Sequence, residues 1–89
     1  MNVVRYRIEY TAAASKSLAK LPTTIAIRIK ATIDALADDP HPQGSIKLTG
    51  SNSYRVRVGD YRIIYTVYNQ RLLVEIVRIG HRSDIYHKK

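Results

Sequence analysis

A chain of 89 residues carries one domain, residues 1–89, because a core of this size leaves no apolar surface to build a second. With no cysteine, neither disulfides nor thiolate metal sites brace it, which suits a reducing cytoplasm. The formal net charge of +8, from 15 Lys+Arg against 7 Asp+Glu, favours a polyanionic partner through counterion release, nucleic acid first.

The opening MNVVRYRIEY lacks the unbroken apolar run of a signal peptide. No stretch approaches the roughly twenty apolar residues of a membrane span, so a cytoplasmic protein without a membrane partner is expected. The positive excess collects after Gly44, where Lys47, Arg55, Arg57, Arg62, Arg71, Arg78, Arg82, Lys88 and Lys89 meet only Asp60, Glu75 and Asp84.

Val4, Tyr6, Ile8 and Tyr10 alternate with Arg5, Arg7 and Glu9, the period of a strand with one buried face. Thr11 is placed to cap a helix over AAASKSLAKL, and Pro22 forbids its continuation. Thr23 or Thr24 then caps a second helix, with Ile25, Ile29, Ile33 and Leu36 along one stripe and Asp38-Asp39-Pro40 at its end. Two helices joined so briefly form a hairpin whose apolar stripe needs a sheet to cover.

Residues 41–53 read as a surface loop with a short extended piece at Ile46 to Leu48. YRVRV and YRIIYTVY flank Gly59-Asp60, and LLVEIVRI follows Asn69-Gln70. Three strands joined by tight turns make an antiparallel meander, with Gly80 breaking the last. The predicted fold class is α+β, an N-terminal strand and two-helix hairpin packed on a curled antiparallel sheet.

Alternation in YRVRV puts Tyr54, Val56 and Val58 on one face and Arg55 and Arg57 on the other. In the next strand Arg62 shares a face with Ile64, and the obvious hairpin register sets it near Arg57. Three planar guanidinium forks on one face suit the non-bridging oxygens of a phosphodiester. A solvated basic face on a half-exposed sheet has the same pattern. Beyond the last strand, GHRSDIYHKK supplies His81, which ordinarily titrates near neutrality and is suited to proton transfer, together with Arg82 and Tyr86. The Tyr86 ring either stacks on an unpaired base or closes the core.

At these residues the sequence resembles the RelE/ParE toxin superfamily, and within it the RelE branch of messenger-RNA interferases. The likeness spans nearly the whole chain, from LAKLP to YRVRVGDYRIIYTV and VEIVRIGHRSDIY. It implies a RelE-like fold and a toxin neutralised by a cognate antitoxin protein. It also implies an endoribonuclease that enters the decoding site of the ribosome with its mRNA and cuts by 2′-hydroxyl attack, without metal or cofactor. Cleavage of free RNA is then expected to be weak, because the ribosome orients the message.

The resemblance assigns roles. Arg55 and Arg57 fall where family members carry two basic residues, often lysines, one of them a general base. Arginine suits that role less, its pKa being roughly 12.5 or above, and stabilises a phosphorane more readily. Arg62 matches the arginine holding the scissile phosphate, Arg82 the one that protonates or stabilises the leaving oxygen, and Tyr86 the tyrosine stacking on the codon base. His81 is the candidate for the proton transfer that the arginines perform poorly.

Two other readings stand beside this one: a ParE-type DNA gyrase inhibitor acting by binding, and a non-catalytic basic nucleic-acid-binding module. The set Arg57, Arg62, Arg82 and Tyr86 favours the nuclease. Metal is not expected, since His41, His81 and His87 lack partner ligands at useful spacing. The antitoxin is expected to lay a helix in the apolar groove beside the helix hairpin, with a toxin–antitoxin heterotetramer left open.

Overall fold

Backbone pairing sets the architecture. In a computed structural model, which describes residues 4–82, the elements run β1 (Arg7–Tyr10), α1 (Ala12–Ala19), α2 (Thr23–Asp38), β2 (Ile46–Lys47), β3 (Ser53–Val58), β4 (Tyr61–Tyr68), a 3-10 turn (Asn69–Arg71) and β5 (Leu73–His81). The sheet order is β1-β5-β4-β3-β2. Strands β2 to β5 form the antiparallel meander, and β1 joins the β5 edge in parallel. The α+β class expected from the sequence is the one observed, with a single parallel pair added at that edge.

Thr11 caps α1 as expected, its hydroxyl oxygen accepting from the Ala14 N–H at 3.1 Å. At α2 neither threonine is the cap. Pro22 takes that position without a side-chain bond, and its carbonyl accepts from the Ala26 N–H at 2.9 Å. Ile29, Ile33 and Leu36 have no exposed surface and pack with Val56, Ile63, Ile76 and Ile79 of the sheet. Burying each such side chain stabilises the fold by roughly 1.5–3 kcal/mol. Asp39, restricted to extended backbone by the proline after it, ends the helix.

Three strand boundaries differ from the sequence pattern. β1 begins at Arg7 rather than Val4, because the Tyr6 N–H turns away to the Ala37 carbonyl at 2.8 Å. The β4–β5 connection is a 3-10 turn closed by Leu72 in the left-handed region at φ 49°, not a two-residue hairpin. β5 passes through Gly80 to His81, which stay paired to Arg62 and Tyr61. Gly59 does form the expected turn, its φ of 59° being one that glycine adopts without steric cost.

A β-bulge makes the sheet fit the core. Ile64 opposes Arg78 but Tyr65 opposes Ile76, so Val77 is an extra residue on β5. Without it, strict alternation from buried Ile79 would send Ile76 and Val74 to the wet face, whereas both are fully buried. Thr11 secures the bulge: its N–H donates to the Ile76 carbonyl at 3.0 Å and its hydroxyl to the Val77 carbonyl at 2.8 Å. Among the described residues no helix is long and apolar enough to cross a membrane.

Candidate functional site

The sheet has two faces of opposite character. On the helix side lie Val56, Val58, Ile63, Tyr65 and Val67. On the other side, the register sets Arg57 directly opposite Arg62, and Arg62 opposite Gly80. The next row runs Arg55, Ile64, Arg78. Two adjacent rows therefore carry four arginines and a glycine, near the end of the sheet closed by the Gly59-Asp60 turn.

Arg55, Arg57 and Arg62 line one cleft of about 340 Å³, walled on its other side by Gln43, Gly44 and Ile46. β2 supplies that wall by pairing Ile46 with Arg55. The short extended piece expected at Ile46 to Leu48 is this strand, Ile46–Lys47, but nothing in the sequence pattern shows that it faces the arginines. Gly80 was likewise seen only as a breaker. Its position opposite Arg62 leaves that side of the row without a side chain.

Arg62 is 9% exposed, the one charged residue among the buried ones described. A guanidinium keeps its charge under such burial, so it is a fixed positive centre at the floor of the cleft. Arg57 is exposed and Arg55 half-buried. The three thus descend from rim to floor of the cleft. Positive charge gathered on one face favours a bound phosphodiester.

Arg82 follows β5 with its backbone N–H donating to the Asp60 carbonyl at 2.8 Å, which holds it at the same end of the sheet. His81 is placed differently. It pairs with Tyr61, its ring edge-on to the Tyr61 ring at 5.4 Å, and Tyr61 packs against the core on the helix side. The sheet therefore brings Arg55, Arg57 and Arg62 together and sets His81 at the strand end on the opposite face. Tyr86 lies outside the described residues.

A second concavity of about 530 Å³ runs between the helices and β1, bordered by Tyr10, Leu18, Leu21, Ala26, Ile27 and Lys30. Ile27 is 61% exposed there, an apolar side chain of α2 that the fold leaves uncovered. Among the described residues no group of three His, Cys, Asp or Glu side chains is arranged to hold a metal ion.

Residues 8–86 match the model of the ParE toxin family of type II toxin–antitoxin systems, parDE. The chain belongs to that family. Within it, this ParE-family toxin is of the RelE type: it is 29% identical over 85 residues to Toxin RelG of Mycobacterium tuberculosis, covering 93% of this chain and 98% of the relative. It is 31% identical over 83 residues to Toxin RelE of the same organism, covering 91% and 86%. The solved toxin–antitoxin complex RelBE2 from M. tuberculosis holds a chain with the same fold, at TM-score 0.79 and 27% identity over 93% of this toxin and 98% of that chain. The ParE-family toxin thus shares both its fold and most of its length with proteins of RelE name.

Proposed function

We propose that this RelE-type toxin is a ribosome-dependent, metal-free endoribonuclease that cuts messenger RNA in the decoding site. The observation that carries this reading is the convergence of Arg55, Arg57 and Arg62 on one cleft. In the reaction, the ribose 2′-oxygen attacks the adjacent phosphorus, the 5′-oxygen leaves, and the products are a 2′,3′-cyclic phosphate and a free 5′-hydroxyl. Charge grows on the non-bridging oxygens as the phosphorane forms, and the Arg62 fork on the cleft floor is the group to bind them. Arg57 and Arg55 at the rim add donors, and Arg82 serves the leaving oxygen.

Arginine stabilises that charge but takes a proton poorly. Proton transfer is assigned to His81, whose side chain must then turn past the end of β5 from its place beside Tyr61. A His81→Gln toxin that still cuts at full rate would remove that role. Tyr86, carried beyond the described residues, is assigned the stacking contact with the codon base.

The partner is a cognate antitoxin with an amphipathic helix seated against Ile27 between the helices, as a helix lies in a groove. A second reading follows from the family model's own description as ParE: inhibition of DNA gyrase by binding alone. Mapping 5′ ends of messages on programmed ribosomes, beside a supercoiling assay, separates the two. Removing one such charge-stabilising donor costs on the order of 2.7–4 kcal/mol, so Arg62→Ala should cut a hundredfold slower or worse. A folded Arg62→Ala protein that cleaves normally, or wild type that leaves messages whole and blocks supercoiling, would overturn the nuclease.

A further inference from the structure

We propose that the β4–β5 turn is a second RNA subsite, one that takes an unpaired base of the same strand whose phosphate lies in the arginine cleft. It rests on the RNA-cutting reading above.

The turn has its own concavity of about 340 Å³, lined by Asn52, Val67, Tyr68, Asn69, Gln70 and Arg71. Three side-chain amides, an aromatic ring and a guanidinium in one hollow match the needs of a nucleobase. Amides pair with the donor and acceptor edges of a base, and flat cationic or aromatic groups stack on its face. The Arg71 guanidinium lies 5.4 Å from the centre of the Tyr68 ring, within cation–π reach. A base laid on Arg71 would continue that stack.

Hydrogen bonds within the protein hold the turn in shape. The Tyr6 hydroxyl donates to Asn69 Oδ1 at 2.7 Å, so the group Asn69 has left to offer a base is its NH₂. Leu72 closes the turn at φ 49°, with its N–H on the Asn69 carbonyl at 3.3 Å and its own carbonyl accepting from the Arg7 N–H at 2.7 Å. Left-handed backbone is unfavourable for a leucine, which is also 43% exposed here; such strain is characteristic of ligand-holding turns.

Position and charge join the two subsites. Arg62, Ile64, Thr66 and Tyr68 occupy alternate positions of β4 and so share its wet face. Arg62 and Tyr68 stand at its two ends, roughly 20 Å apart at strand rise. Between them the Ser53 and Thr66 hydroxyls meet at 2.8 Å. Glu75, opposite Thr66, repels phosphate at that level of β5, one step beyond Arg78, while Glu9 next to it is held by Arg7 at 2.9 Å. An RNA strand is therefore steered along the β3 side, over Arg57, Arg55 and Ser53 to the turn.

The test uses the full chain and a short unstructured RNA, 2′-O-methylated so that it cannot be cut. NMR follows the side-chain amides of Asn52, Asn69 and Gln70 and the arginine Nε–H groups. The expected result is that RNA shifts both the turn amides and the cleft arginines. The exposed double substitution Gln70→Ala with Arg71→Ala should weaken binding about tenfold, the scale of one lost base stack, at an unchanged melting temperature. An Asn52→Ala chain, with the turn sequence intact, should weaken it in the same direction. Unmoved turn amides together with undiminished affinity of these variants would overturn the turn subsite and leave the nuclease reading intact. RNA that moves neither set of signals would overturn the turn subsite, and would overturn the nuclease reading as well if the same protein leaves messages whole on programmed ribosomes.

Discussion

Arg57 and Arg62 stand directly opposite each other across the β3–β4 ladder, separated in the chain only by the pair Val58 and Tyr61 and the Gly59-Asp60 turn between them. Like charges in that arrangement destabilise a sheet, by roughly 0.2–1 kcal/mol on the scale of cross-strand pairs. On the reading proposed above, the pair is there to bind an anion. Replacing the exposed partner, Arg57→Thr, should leave the melting temperature unchanged or slightly raised while slowing message cleavage at least tenfold. Calorimetry and primer extension on programmed ribosomes measure the two. A variant that melts earlier and cuts as before would contradict both halves.

Gly80 completes the same row on the other side of Arg62. It is not among the positive-φ residues, so a side chain is conformationally allowed there, and a strand gains from losing a glycine. A valine would stand about 5 Å from Arg62 at the β-carbons and narrow the approach of a phosphate. Gly80→Val should therefore be at least tenfold slower in cleavage. Full activity in that variant would show that the β5 side of Arg62 is not part of the path.

Tyr65 is fully buried, its hydroxyl donating to the Pro40 carbonyl at 2.8 Å. Burial is the main reason its pKa is pushed from 10.0 up to about 12. The folded value lies above the unfolded one, so its contribution to stability is complete below pH 10 and fades as pH rises from 10 towards 12. Tyr65→Phe should lose about 1 kcal/mol at neutral pH with the hydrogen bond. The gap between wild type and variant in denaturant melts should close in alkali. A gap constant from pH 8 to strongly alkaline solution would refute the linkage.

Ile27 is the exposed apolar member of the groove between α1, α2 and β1. Ile27→Glu places a charge where an antitoxin helix would bury a side chain. Binding to the cognate antitoxin should weaken at least tenfold by titration calorimetry, with the melting temperature of the free toxin unchanged. Undiminished affinity would move the antitoxin to another surface.

Much of this was legible in the sequence because it depends on local chemistry. The strand period in YRVRV and YRIIYTVY put Arg55, Arg57 and Arg62 on a common face, and the Gly59-Asp60 turn fixed the register that pairs Arg57 with Arg62. Thr11, Pro22 and the stripe Ile29, Ile33, Leu36 placed two helices to within a residue or two.

What the sequence by itself determined, then, was which elements form and which faces they wet, since periodicity, caps and turns act over a few residues. Only the tertiary structure decided the rest. Whether the bulge at Val77 exists depends on Thr11, distant in the chain, accepting the role of partner to β5. The bulge in turn sets Ile76 and Val74 in the core while Gly80 and Arg78 stay in register with Arg62 and Ile64. His81 was expected in a loop just beyond the last strand, with Gly80 as the end of that strand. Alternation along a strand that does not stop at Gly80 carries it to the Tyr61 side instead, because successive residues of a paired strand point to opposite faces.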